Sequence, residues 1–240
     1  MTWCVEVTGD HGDLNMLAES MSDSSISITL EEGKFILQSD AFDDHDTAQD
    51  VAGKAKDILS TLSGAVRLKL GGHTSMAIGD VYRVRDNGGR DNFIMPEPGQ
   101  IKLRVFPATL VVTKSDGTQE IDRPADQVGR LAKLAANDDQ VAKALRLRAD
   151  DDLGWVELYR IYEVVDSDIG RSKIVAKRWA SLSDISLFKR TANSVTAAGD
   201  QARHGKETDQ PPANPMTLRR ARELIDAVLN GWLADKVSTI

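Results

Sequence analysis

The sequence predicts an α+β fold, in which a front domain of mixed strands and helices is followed by an all-helical back domain. Strand patterns are confined to the first 122 residues, where apolar and polar residues alternate. Later apolar residues instead recur every three to four positions, as in amphipathic helices. The stretch "DRPAD" (122–126) interrupts both patterns, so the sequence predicts domains at 1–122 and 127–236.

The front domain opens with an alternating segment, "TWCVEVT" (2–8), which is typical of a strand. A short helix is expected over 13–20. Two further strands, "SISITL" (25–30) and "KFILQS" (34–39), are predicted to form a hairpin with Gly33 at its turn.

The clearest helix of the front domain runs from about Asp46 to Ser63, because its apolar residues follow helical spacing. Asp46 or Thr47 can cap its start, and Gly64 can end it. The following "AVRLKL" (65–70) extends this helix or begins a strand.

Two more hairpins complete the front domain. The Asn-Gly-Gly sequence at 87–89 lies between two strand-like segments and favours a tight turn. A long strand is predicted over 102–113, at a sheet edge or with a bulge at Pro107. The stretch 114–117 turns it into a last short strand.

The back domain reads as a series of helices joined by short breaks. Asp184 is a candidate cap for the fifth of them, and Pro215 precedes the start of the last. The helices are expected over 128–136, 141–149, 153–170, 173–182, 184–195 and Thr217 to about Lys236.

Composition limits the class of protein. The single cysteine, Cys4, excludes an intramolecular disulfide and favours a reducing compartment. The first residues carry neither the basic nor the apolar region of a signal peptide, and no apolar run reaches the roughly 18 residues of a membrane span. We therefore expect a cytoplasmic protein with no membrane partner.

Charge is unevenly distributed along the chain. Residues 1–50 hold twelve Asp and Glu against one Lys, which gives −11. Residues 171–222 hold eleven Lys and Arg against four Asp and Glu, which gives +7. The basic segment is either a solvated face or part of a surface that binds an anionic ligand.

Motifs for bound cofactors are absent from the sequence, so no cofactor and no metal is expected. The chain has no GxxxxGK[ST], GxGxxG or GxSxG pattern, and its four histidines lie far apart. The acidic stretch 40–50 reads as a solvated loop that caps the next helix, with a weak divalent-cation site as the alternative.

The stretch "GDQARHGKETDQPPANPM" (199–216) holds the candidate functional residues. Arg203 and His204 are the candidate catalytic residues. Arg190, Asn193 and Lys206 are the candidate ligand-binding residues, because the fold can bring them close to His204. The alternative is purely structural: His204 and Gly205 would end a helix, and Arg203 would pair with an acidic neighbour.

Residues 127–236 resemble the helical HEPN superfamily. The resemblance rests on the series of helices, on "WVELYRIYEVV", "FKRTANS" and "ARHG", and on an Arg–His pair before the final long helix. The whole chain is similar to a group of uncharacterised two-domain bacterial proteins with such a back domain. In the family motif four to six residues lie between Arg and His, which corresponds to positions 197–199 for His204, and none of these positions holds an arginine in this chain.

The resemblance implies a role for each candidate. His204 would transfer protons during metal-independent RNA cleavage, Arg203 would hold the phosphate, and two protomers would bring their motifs together in a homodimer. The expected function is RNA or nucleotide binding in bacterial stress or phage defence, with ribonuclease activity left open. The alternative is a non-enzymatic interaction module, whose front domain binds a protein partner and whose helices dimerise.

Overall fold

The computed structural model describes residues 2–21, 25–71, 76–87, 89–95, 110–113, 119–122, 124–150, 152–207 and 210–239. The chain divides into two compact units, Met1–Asp139 and Gln140–Ile240. The first contains antiparallel sheets with helices and the second is helical, so the layout is α+β, as the sequence predicts.

The first unit is built on a five-stranded antiparallel sheet with strand order β2-β3-β1-β4-β5. A separate two-stranded sheet pairs β6 with β7. The elements are β1 (Thr2–Gly9), α1 (His11–Ser20), β2 (Ile26–Glu31), β3 (Lys34–Ser39), α2 (Ala48–Leu70), β4 (Met76–Val84), β5 (Arg90–Phe93), β6 (Leu110–Thr113), β7 (Gln119–Asp122) and α3 (Pro124–Asn137).

The helices of the first unit pack together beside the sheet. α2 packs against β4 and β1, while α3 packs against α2 and α1. Gly129 of α3 lies so close to the backbone of Ser20 that no side chain fits there. The sequence predicts the domain boundary at 122–126, before α3. The structure divides after Asp139 instead, so α3 belongs to the first unit.

A second set of contacts joins the strands of the sheet. Cys4, Ile36 and Tyr82 form a small buried cluster. At the sheet's margins, Arg90 of β5 donates to Glu31 of β2 at 2.7 Å. In a flat sheet these edge strands would lie about 19 Å apart, so the sheet curls to bring them together.

The second unit is organised around α5 and α9, with Trp232, Tyr162 and Phe188 in its core. Trp232 is fully buried and donates its indole N–H to Asp168 at 2.8 Å. The helices are α4 (Asp139–Arg148), α5 (Trp155–Ile169), α6 (Arg171–Ala176), α7 (Leu182–Asn193), α8 (Val195–Ala198) and α9 (Leu218–Val237).

The structure decides one helix end that the sequence left open, and it differs from the prediction for the helix over 173–182 and for the cap of the next helix. α2 continues through Gly64 to Leu70 and ends at Gly71, whose φ of 65° is the left-handed conformation that glycine favours. The helix predicted over 173–182 breaks after Ala176. Ser181, not Asp184, is the cap of α7, and its hydroxyl accepts from the Asp184 N–H at 3.0 Å.

Other predictions are confirmed in the parts of the chain that the structure describes. The strand over 2–8, the hairpin with Gly33 at φ 81° and the last helix with Thr217 as its cap are all present. β4 pairs with β5 as the 87–89 turn predicts. Pro107 and the 114–117 turn lie outside the described residues.

Candidate functional site

The segment 203–216, here called the site loop, begins and ends at the last turn of α7. The backbone N–H of Arg203 donates to the Ala192 carbonyl at 2.8 Å. The backbone N–H of Met216 donates to the buried hydroxyl of Thr191 at 3.0 Å. Because Thr191 and Ala192 are neighbours, both ends of the site loop are held at one place.

Two side chains fasten the interior of the site loop. Arg190 of α7 donates to the Gln210 carbonyl at 3.1 Å. Glu207 accepts from the Thr196 N–H of α8 at 2.9 Å. Hydrogen bonds from the Ser194 side chain and the Thr196 backbone lower the pKa of Glu207 below its usual range, because they stabilise the charged carboxylate.

Three groups contact the guanidinium of Arg203. Its centre lies 4.2 Å from the centroid of the Tyr159 ring, a cation–π contact. One nitrogen, Nη2, donates to Glu163 at 2.9 Å, and the other, Nη1, lies 3.2 Å from His204 Nε2. Arginine only donates, so Nε2 of His204 is the acceptor in this contact.

A second cation lies over the same aromatic residues. Nζ of Lys189 is 5.8 Å from the Tyr159 ring centroid and 5.5 Å from that of Tyr162. Both rings are buried beside Phe188, and burial raises the pKa of Tyr162 above its usual range. These rings therefore pack the core and orient the cations above them; they are not exposed platforms for stacking a base.

The remaining predicted site residues lie around this centre in different ways. His204 and Lys206 are exposed, and Lys206 forms no ion pair with any described residue. Arg190 is turned to the site loop, as described above. The side-chain oxygen of Asn193 is buried and accepts no hydrogen bond from the described groups.

The structural alternative for the Arg–His–Gly triplet is only partly realised. α8 ends at Ala198 and is followed by a short 3₁₀ turn, so His204 does not stand at a helix C-terminus. The described glycines with positive φ do not include Gly205, which therefore is not a left-handed helix stop. Arg203, in contrast, does pair with an acidic neighbour, Glu163.

Sequence reasoning named Arg203 and His204 as candidates but did not connect them with Tyr159, Glu163 and Lys189. Tyr159 and Glu163 stand four positions apart on α5, a spacing that places both on one face. Lys189 directly precedes Arg190, which is one of the predicted ligand-binding residues. These contacts are long-range, and no local pattern in the sequence shows that Arg203 contacts α5.

The excess positive charge of 171–222 is largely neutralised. Six of its eleven Lys and Arg form ion pairs within the described structure. These six are Lys173, Lys177, Arg203, Arg219, Arg220 and Arg222. Lys189 and Lys206 remain as cations near Arg203 that have no carboxylate partner among the described residues.

Neither a metal centre nor a membrane span is found among the described residues. No three His, Cys, Asp or Glu residues there are grouped so that they could hold a metal ion. None of the helices in the described ranges combines the length and apolar character needed to cross a membrane.

Comparisons of the chain with protein-family models, with curated protein sequences and with solved structures found no match.

Proposed function

We propose that the helical unit binds a phosphate-bearing ligand, an RNA or a nucleotide, at Arg203 and His204. The observation that supports this is the state of the Arg203 side chain, which is held in place while 30% of it stays exposed. A fixed, accessible guanidinium is suited to phosphate, because two of its N–H groups can bond two phosphate oxygens at once.

The donors of Arg203 are not exhausted by its contacts. A guanidinium has five N–H groups, and the bonds to Glu163 and His204 use two of them. The contact with the Tyr159 ring is a cation–π interaction, which does not use an N–H group as a hydrogen-bond donor. A phosphate can therefore add to the existing contacts without first breaking the packing of the residue.

The charges around Arg203 also favour an anion. Arg203 and Lys189 contribute two positive charges over the tyrosine rings, and Glu163 contributes one negative charge. The exposed Lys206 lies on the same loop as His204. These side chains together leave a local excess of positive charge, which attracts a phosphate.

Cleavage of RNA requires more than binding. One group must take the proton of the 2′-hydroxyl, and another must protonate the departing oxygen. His204 is the only histidine after residue 139, so one helical unit supplies one imidazole. We therefore propose that ligand binding belongs to the single chain and that any cleavage belongs to a dimer, in which a second His204 is contributed.

Binding of a fluorescent RNA and of labelled ATP to Arg203→Ala and His204→Ala tests the proposal. We expect Arg203→Ala to weaken binding about tenfold and to reduce the salt dependence by about one phosphate contact. His204→Ala should keep the melting temperature and lose either affinity or RNA cleavage. Arg219→Ala is the control, because that side chain is 83% exposed and pairs only with Glu223 on its own helix.

Unchanged binding in Arg203→Ala would refute the proposed site. If the parent chain binds neither ligand and nevertheless forms a dimer in solution, the alternative of a non-enzymatic interaction module is favoured. One feature fits that alternative: Leu182, at the start of α7, is 57% exposed.

A further inference from the structure

A groove between α4 and α5 is a second place in the helical unit where a ligand fits. Its volume is about 570 Å³, within the range of 300–1,000 Å³ that is usual for small-molecule sites. Seven residues line it: Gln140, Lys143 and Leu147 from α4, and Arg160, Glu163, Val164 and Ser167 from α5.

The two cations of this groove have no carboxylate partner among the described residues. Lys143 and Arg160 come from the two different helices and are both exposed. Neither forms an ion pair or a side-chain hydrogen bond with any described residue, whereas Arg148 and Arg222 are each bonded to an aspartate. Two unpaired cations on facing walls favour a bound anion between them.

The one carboxylate in the groove is already engaged. Glu163 bonds Arg203 at 2.9 Å, so it does not neutralise Lys143 or Arg160 through an ion pair. The same contact makes Glu163 a shared wall between the groove and the Arg203 site. A ligand that occupies the groove therefore lies next to the residue that holds Arg203.

The uncharged lining residues of the groove indicate which chemical group would accompany the anion in a ligand. Leu147 is half-buried and provides an apolar surface, while Val164 lies buried in the wall of the groove. Ser167 adds a hydroxyl, which can donate or accept a hydrogen bond. An anionic group joined to an apolar ring system with polar edges matches this combination, and a nucleotide has that composition.

We propose that the α4–α5 groove holds one nucleotide of the ligand, with its phosphate between Lys143 and Arg160 and its base on Leu147. This inference rests on the proposed function, since it extends the same ligand from the Arg203 site across Glu163. The nucleotide is either free or a unit of an RNA chain, because the groove chemistry is common to both.

The test compares the double variant Lys143→Ala/Arg160→Ala with the parent, using 5′-AMP and a fluorescent ten-nucleotide oligoadenylate as probes. The matched control is Arg171→Ala/Arg219→Ala, which removes the same charge from two exposed positions outside the groove. We expect the groove variant to lose about tenfold or more in affinity and the control less than about twofold.

Amide chemical shifts give an independent readout of location. Addition of the probe to the parent chain should shift the resonances of Leu147, Val164 and Ser167. AMP binding identifies a free nucleotide as sufficient, and oligoadenylate binding without AMP binding identifies a unit of RNA.

The outcomes separate this inference from the proposed function. Equal losses in the groove variant and its control, with a further loss in Arg203→Ala, would overturn the groove while the Arg203 site stands. A loss in the groove variant with none in Arg203→Ala would keep the groove and overturn the Arg203 site. A parent chain that binds neither probe overturns both.

Discussion

Replacement of Gly231 by alanine measures how closely α9 packs in the helical unit. A Cβ atom at this position would lie 2.5 Å from Cδ1 and 2.6 Å from Cγ of Trp179. Real Cβ atoms do not approach a neighbour so closely, and the indole is a rigid, half-buried group. Either the ring or the helix must therefore move when the methyl group is added.

Two opposing effects set the size of the change. Alanine in place of a helical glycine stabilises by about 1 kcal/mol, because it restricts the unfolded chain. Insertion of a methyl group into filled space costs about 1–3 kcal/mol. We expect a net destabilisation of about 1–2 kcal/mol, since three ring atoms, and not one flexible side-chain end, stand in the way.

The control is Gly53, which lies inside α2 with no atom within 4 Å of the place that an added methyl group would occupy. Gly53→Ala should raise the free energy of unfolding by about 0.5–1 kcal/mol, the propensity effect alone. Urea unfolding followed by circular dichroism measures both variants. The two substitutions should change stability in opposite directions.

A double-mutant cycle then isolates the contact. In a Trp179→Ala background the obstacle is gone, so Gly231→Ala should become neutral or stabilising. The reasoning is refuted if Gly231→Ala stabilises the parent chain as much as Gly53→Ala does, or if its effect is the same with and without Trp179.

Three further predictions concern other parts of the chain. Trp232→Ala should destabilise the helical unit by about 3–5 kcal/mol in thermal or urea unfolding, because the indole is fully buried; an unchanged melt would contradict its burial. Because the pKa of Glu207 is lowered in the folded state, its stabilising contribution is present above the ordinary glutamate value of about 4.3 and is lost as the pH falls through the lowered value. The amide chemical shift of Thr196 should change with this titration, with a midpoint below about pH 4.3. In Glu207→Gln that pH-dependent change should disappear. A midpoint at or above about pH 4.3 would show that the hydrogen bond between Glu207 and Thr196 is not formed. Burial raises the pKa of the Cys4 thiol, so a thiol reagent at about pH 8 should react with the native chain far more slowly than with the chain in urea, and equal rates would show that Cys4 is exposed.

Local sequence signals predicted the elements whose cause is local. The alternation in β1, the apolar stripe of α9 and the glycine turn at Gly33 depend on neighbouring residues, and all three are present. The end of α2 was left open between Gly64 and residues 65–70, and a physical reason decides it. Gly64 is buried in the helix interior, where packing outweighs its weak intrinsic preference, and Gly71 supplies the left-handed cap instead.

The candidate site was less predictable, because its geometry depends on long-range contacts. The triplet at 203–205 drew attention through its residue types alone. That Arg203 would rest on Tyr159 and bond Glu163, 40 residues earlier, is a consequence of how α5 and α7 pack. No periodicity within either segment encodes that pairing.

The attachment of the site loop has a consequence for engineering. The two ends of the site loop are bonded to the neighbouring residues Thr191 and Ala192. Because the ends lie at one place, the loop does not have to span a fixed distance between helices, and its length can change. Doubling such a loop costs only about 0.6 kcal/mol in closure entropy. The exposed residues 213–215 are therefore a suitable point to insert a reporter peptide or a small folded domain, while the helices that hold Arg203 stay unaltered.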